Sequence, residues 1–286
     1  MKPSLDPHLL KRLSQPAPWS WCWRALSDWA QIIAVFVLLA HFPSVLTVVL
    51  AWLVVGIKMN ALSLLGHDAA HFLVSRNRQL NDLIAYVFVG VPLGLSLSGY
   101  RKFHLEHHRH QGTAQDPEIP YQSAGPRWAR PLSKQRLVYL FVTDLLGFGI
   151  GDIVKGLNCY KAQRKFEPLL SLLFFATAAY FCWRTGHLWV LGFWVFCSLT
   201  THWALFRLRT LTEHDGMEST LRFSASPLLR YVVFPHNTHM HYEHHAYPTV
   251  PLWHLPEVRK NLRSAVELQG SQQLWSTLGR VPAFPW

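Results

Sequence analysis

The sequence predicts an all-α integral membrane fold with about four transmembrane helices in two hairpins, and three observations carry that prediction. Half of the residues are hydrophobic and only 15% are charged, against about 25% in soluble domains. Thirteen tryptophans and seventeen phenylalanines suit a chain that meets the bilayer–water boundary repeatedly. Histidines gather in tight groups beside the apolar runs: His67 and His71, then His104, His107 and His108, then His241, His244 and His245. Imidazole is costly to bury without partners, so this clustering predicts a helical cap that binds metal on one side of the membrane.

The elements follow in order. Residues 1–24 form a cytosolic and interfacial segment, because Pro16, Pro18, Trp19, Trp21 and Trp23 break up any apolar leader with a cleavage site. The first hairpin is placed at 25–65. A bilayer core of ~30 Å takes about 20 apolar residues in a helix, which 44–65 supplies. The stretch 29–42 is short and completes a span only with residues 25–28 or by tilting. Residues 66–167 form a first cytosolic region. Within it 80–97 is apolar, but Gly90, Pro92 and Gly94 oppose a straight span and predict a re-entrant or interfacial helix. The stretch 137–157 carries Asp144, Asp152 and Lys155 and is expected along the membrane surface or against the cap. A second hairpin, 168–206, turns at Arg184-Thr185-Gly186, and 207–286 is the second cytosolic region. The whole of 1–286 reads as a single domain.

The basic residues set the orientation. The chain carries a net charge of +11, and Arg76, Arg78, Arg101, Lys102, Lys161, Lys165, Arg207 and Arg209 flank the apolar runs. The two short turns hold only Arg184. The positive-inside rule then puts both termini, the large loops and every histidine group on the cytoplasmic side. Cations at apolar boundaries serve anionic lipid headgroups, which excludes nucleic acid as the partner. The four cysteines lack CxxC spacing and form neither a disulfide frame nor a thiolate site.

The spacings carry the chemistry. His67 and His71 lie four apart on one helix face, with Cβ atoms ~5–6 Å from each other. In the second group His104 shares a face with both His107 and His108, which diverge by about 100°, so the trio can serve two ions. His241, His244 and His245 repeat that geometry. With His214 added, nine imidazoles divide between two ions and leave positions open. Asp68, Glu106, Asp116, Glu213, Asp215 and Glu243 stand near the histidines and are expected to hold their second N–H groups, which fixes the tautomer. Asn237 either binds a metal-bound water or makes an Asx turn after Pro235. His110, His236 and His239 are expected as solvated or supporting residues, and His202 as a helix–helix hydrogen bond. The run 93–97 could border a substrate channel. Without Glu-x-x-His pairs a ferritin-like carboxylate bundle is excluded.

Gly66-His67-Asp68-Ala69-Ala70-His71, His104-Leu105-Glu106-His107-His108 and His241-Tyr242-Glu243-His244-His245 resemble, in order, the three histidine boxes of the membrane fatty-acid desaturase superfamily. Tyr247-Pro248-Thr249-Val250-Pro251 through His254-Leu255-Pro256 resembles the segment after the third box of acyl-lipid desaturases. Arg209-x3-Glu213-His214 is similar to an extra motif of sphingolipid desaturases, carotenoid ketolases and alkane hydroxylases. The resemblance implies a non-haem diiron centre, two Fe ions with O2 as co-substrate, attacking an unactivated C–H bond of a lipid or other hydrophobic substrate. No His-Pro-Gly-Gly motif of a fused cytochrome b5 occurs, so an external electron donor is expected, either ferredoxin or cytochrome b5 with its reductase. The first expectation is an acyl-lipid desaturase. The alternative is a hydroxylase or ketolase of a carotenoid, alkane or sphingolipid on the same site. A non-catalytic membrane metal carrier is the remote alternative.

Overall fold

The computed structural model describes residues 4–119, 127, 133–213, 220–264, 266 and 268–270. Helix α1 (Pro7–Leu13) starts where the Asp6 carboxylate accepts the Leu9 N–H at 2.9 Å. Helix α2 (Pro18–His41) begins on a proline, whose missing N–H costs nothing in a first turn. Helix α3 (Val45–Ala70) opens with a capping box between Ser44 and Thr47. The two are joined by Phe42-Pro43-Ser44 and pack along each other. The first long helix thus starts at Pro18, earlier than its apolar run suggested. The reason is Trp21, which is wholly buried and donates its indole N–H to the Leu65 carbonyl at 3.1 Å.

Burial divides α3 in two. Its first turns are open, with Val45 82% exposed, whereas nearly every residue from Val55 to Ala70 is buried. An apolar helix exposed at one end and buried at the other suits lipid around the first half and protein around the second. His67 therefore falls inside the last turn of α3 and not after it.

Helix α4 (Arg78–Leu93) carries a π-turn at Tyr86–Gly90, and helix α5 (Leu97–His110) follows at a bend of 101°. Gly94 makes the break at φ +65°, a conformation that glycine adopts freely. The region around 80–97 is accordingly not a straight span. Helices α6 (Lys134–Leu145) and α7 (Ile150–Cys159) meet at 88°. Their acidic residues point inward, not toward a membrane surface. Arg207 Nε reaches Asp144 at 2.5 Å and its Nη2 reaches Asp152 at 2.6 Å, while Arg127 also pairs with Asp144. Of the two expected placements, along the membrane surface or against the cap, these charges follow neither pattern alone: they form a buried bolt to the long helix that carries Arg207.

Helix α8 (Phe166–Arg184) exposes nearly all of its apolar side chains. Helix α9 (Trp189–Glu213) contains a second π-turn at Ser198–His202 and packs closely on α3. Helix α10 (Pro227–Val232), a 3-10 turn at Pro235–Met240, helix α11 (His241–Ala246), a 3-10 turn at Leu252–His254 and helix α12 (Leu255–Asn261) complete the described chain. The fold is all-α: among the described residues the only β pairing is two isolated bridges. Helices α2, α3, α8 and α9 are each long and apolar enough to cross a membrane.

Candidate metal centre

Three helix ends bring the histidines together. His67 and His71 come from the end of α3, His104, His107 and His108 from α5, and His241, His244 and His245 from α11. Arg101, one turn before His104, donates to the Ala69 carbonyl at 2.9 Å, to the Ala70 carbonyl at 3.1 Å and to Asp82 at 2.5 Å. It fastens the first box to the second. Sequence reading took this arginine only as a cytosolic charge, because its acceptors lie 19 to 32 residues upstream.

The histidines form two groups whose ligand atoms lie within 4.8 Å of one another: His67, His71, His104, His108 and His244, and then His107, His241 and His245. In the first, Nε2 of His104 lies 2.9 Å from Nε2 of His71 and 3.1 Å from that of His108, which lies 3.0 Å from Nε2 of His244. In the second, Nε2 of His245 and His241 are 3.0 Å apart. Stacked rings of His108 and His245, 4.2 Å between centroids, join the groups. As expected from the 100° divergence, His104 and His108 serve one group and His107 the other.

Hydrogen bonding alone does not account for this. An imidazole nitrogen has one in-plane direction for a proton or a lone pair, yet Nε2 of His104 and of His108 each faces two others. His67 is buried, and neither of its ring nitrogens has a hydrogen-bond partner. Around a cation, bonds of about 2.1 Å at right angles would hold nitrogens about 3.0 Å apart. The observed spacings match that figure, and the donor set fits a first-row ion such as iron.

The electrostatics agree. Burial, with Arg101 nearby, lowers His71 to about 4. Burial, then His71 and His107, lowers His108 to about 2. Burial also holds His244 well below the ordinary range. These rings are neutral at pH 7, the form that ligates. His107 differs: burial opposes its charge, but Glu118, Asp116 and Glu213 outweigh burial and raise it to about 8.

Of the expected supports, Asp116 receives Nδ1 of His107 at 3.0 Å on both oxygens. Asp68 approaches Nδ1 of His67 at 3.7 Å, and Glu213 approaches Nδ1 of His241 at 3.9 Å while gripping Arg209 at 2.6 Å. Three others do not meet a box imidazole. Glu106 turns outward to Arg109 and His110. Glu243 is wholly buried between Arg222 and Arg259, where it braces α11. Asn237 donates to the Leu252 carbonyl at 3.2 Å, in a left-handed turn shared with His236. His214 and Asp215 lie outside the described residues. One support went unforeseen: Tyr100 stacks on His104 at 5.4 Å between centroids. His239, expected as solvated or supporting, is fully buried with neither nitrogen hydrogen-bonded.

A mainly apolar cavity of about 160 Å³ lies beside this centre. Leu93, Gly94, Leu95, Ser63, Ser198, His202 and Trp203 are among its lining residues. Tyr100, Tyr160, Phe206 and Arg209 also line the small space against His67, His104, His107 and His241.

Residues 43–276 match the fatty acid desaturase family, and the chain belongs to that family. It is 26% identical over 235 residues to a beta-carotene 4-ketolase 3 of Haematococcus lacustris, covering 78% of this chain and 65% of that one. It is 24% identical over 214 residues to a zeaxanthin 4-ketolase of Chlamydomonas reinhardtii, covering 71% and 42%. A sphingolipid delta(4)-desaturase of Drosophila melanogaster is 26% identical over 260 residues, covering 86% and 75%. The matched region thus spans less than two thirds of the two ketolases.

Proposed function

We propose that this chain is an O2-dependent diiron membrane oxidoreductase that desaturates an acyl lipid. The observation that carries the reading is the pair of imidazole groups beside an apolar cavity, whose residues Tyr100, Tyr160, Phe206 and Arg209 also line the histidine site. His67, His71, His104, His108 and His244 would hold one iron, and His107, His241 and His245 the other. When bound, the irons and O2 supply the oxidising power that breaks an unactivated C–H bond. Desaturation balances as one CH2–CH2 unit, O2, two electrons and two protons giving CH=CH and two waters. The electrons come from a separate one-electron donor, a ferredoxin or cytochrome b5.

The chain's own residues do the rest. Asp116 fixes His107 in the tautomer that presents Nε2 inward. Glu243, clamped by Arg222 and Arg259, holds α11 at the angle that aims His241, His244 and His245. Tyr100, Tyr160 and Phe206 exclude water from the space against the histidines. Two helical pairs, α2 with α3 and α8 with α9, carry the cap as hairpins of a single domain. Its cytoplasmic placement rests on the bias of basic residues to that side.

Ketolation or hydroxylation of a carotenoid is the second reading, favoured by the ketolases among the relatives. The test is expression with a matched reductase in a bacterial host that makes carotenoids, followed by mass spectrometry of all lipids. A new unsaturated acyl species, absent from His244→Ala cells, supports desaturation. A keto or hydroxy carotenoid replaces the first reading with the second. Zinc in place of iron, with no product, would overturn both.

A further inference from the structure

His202 ends the π-turn of α9, and its Nε2 is buried with no hydrogen-bond partner. A helix–helix hydrogen bond was the expectation for this residue. His202 instead lines the apolar cavity, as do Ser198 and Ser63. A π-turn adds one residue to a helix and rotates the following face, a device frequent at functional sites. Here the turn ends at an imidazole on the cavity wall. Among its polar neighbours, Ser63 Oγ donates to the Asn60 carbonyl at 2.7 Å and Arg209 Nη1 is ion-paired with Glu213, whereas Trp203 Nε1 and Arg209 Nε are, like His202 Nε2, buried without a partner. An orphaned nitrogen in an apolar wall is costly unless an occupant partners it.

We infer that His202 is a specificity residue that hydrogen-bonds an oxygen carried by the substrate, a hydroxyl, keto or amide group. The inference rests on the reading above that the cavity holds the substrate. Phe206 lies one helical turn beyond His202 and lines both the cavity and the histidine site. At ~1.5 Å per residue that turn is about 6 Å, so the oxygen sits a few carbons from the position oxidised. A bare hydrocarbon leaves the nitrogen unpartnered, whereas an oxygen-bearing lipid or terpenoid satisfies it. Sites built around a polar contact reject analogues lacking that group far more strongly than apolar pockets reject a changed methylene.

Two probe pairs test this on the detergent-solubilised full chain: zeaxanthin against β-carotene, and N-acylsphinganine against its 3-deoxy counterpart. Affinity is read from the ligand-dependent rise in melting temperature, which needs no turnover. In at least one pair the oxygenated member binds the wild type about tenfold tighter, a modest value for one buried hydrogen bond. His202→Phe removes that preference and leaves the deoxygenated member's affinity unchanged, while His202→Gln retains part of it. A wild type that discriminates neither pair overturns the inference without any variant. So does a His202→Phe protein that weakens both members alike. Binding preference without any oxidation product would sink the proposed reaction and leave His202's role standing; equal binding and oxidation of both members would do the reverse.

Discussion

A ligating imidazole must be neutral, aimed and held, and different neighbours meet each need. Burial keeps His71, His108 and His244 uncharged, and Asp116 aims His107. Asp116→Asn keeps the shape but gives His107 a weaker acceptor. We expect a loss of iron affinity of about 10–100-fold with little change in melting temperature, read by chelator competition. His244→Ala opens the five-histidine group, so iron should fall below two per chain by plasma mass spectrometry, with loss of product. The clustered histidines were legible as residues because i, i+3 and i+4 spacing survives in a one-dimensional pattern. The supports were legible only in part. Adjacent Glu106 turns away, while Asp116, nine positions beyond His107, makes the contact through the fold of its loop.

Helices act here as rigid rulers, and two contacts hold them in register. A Cβ on Gly56 would lie 2.4 Å from Thr201 Cβ and 2.9 Å from the His202 backbone nitrogen, so the close approach of α3 and α9 at Thr201 requires glycine at residue 56. Gly56→Val should push the helices apart, lower stability by about 1–3 kcal/mol and disturb the cavity wall at His202. Thermal melting and the product yield check both effects. The second contact is the Arg207 bolt. Arg207→Met leaves buried Asp144 and Asp152 with Arg127 as their remaining cation, and breaking such a network typically costs about 3–5 kcal/mol. The expected outcome is poor recovery of folded protein in size-exclusion chromatography. The long helices were readable from apolar length; the inward turn of Asp144 and Asp152 was not, because nothing local marks Arg207 as their partner.

At the scale of the whole molecule, gathering the imidazoles makes the metal-free protein acid-sensitive. His71 and His108 have folded-state values near 4 and 2, below the unfolded value of about 6.5. The unfolded chain therefore binds more protons below that point, and stability is lost as pH falls from about 6.5 toward 4. His107, raised to about 8, has the opposite sign: its contribution is full below about 6.5 and is lost as pH rises through 8. Melting of iron-free protein should be highest near pH 6.5 to 7 and fall on the acid side. Iron should raise the melting temperature near neutrality and steepen the acid limb, since bound rings take up no protons while those of the unfolded chain do. A pH-independent melting curve for the iron-free chain would contradict the burial of these rings.

The sequence by itself determined the all-α class, the long apolar helices and the eight described box histidines, because helix periodicity and the bilayer's thickness are local, countable constraints. Only the tertiary structure decided how those histidines divide into groups of five and three, since that depends on where α3, α5 and α11 converge. It also decided that Glu243 braces while Asp116 orients, and that His202 faces a cavity. His108 meets His244 across 136 residues, and even Asp116, nine residues from His107, makes its contact through a direction in space about which spacing along the chain carries no information.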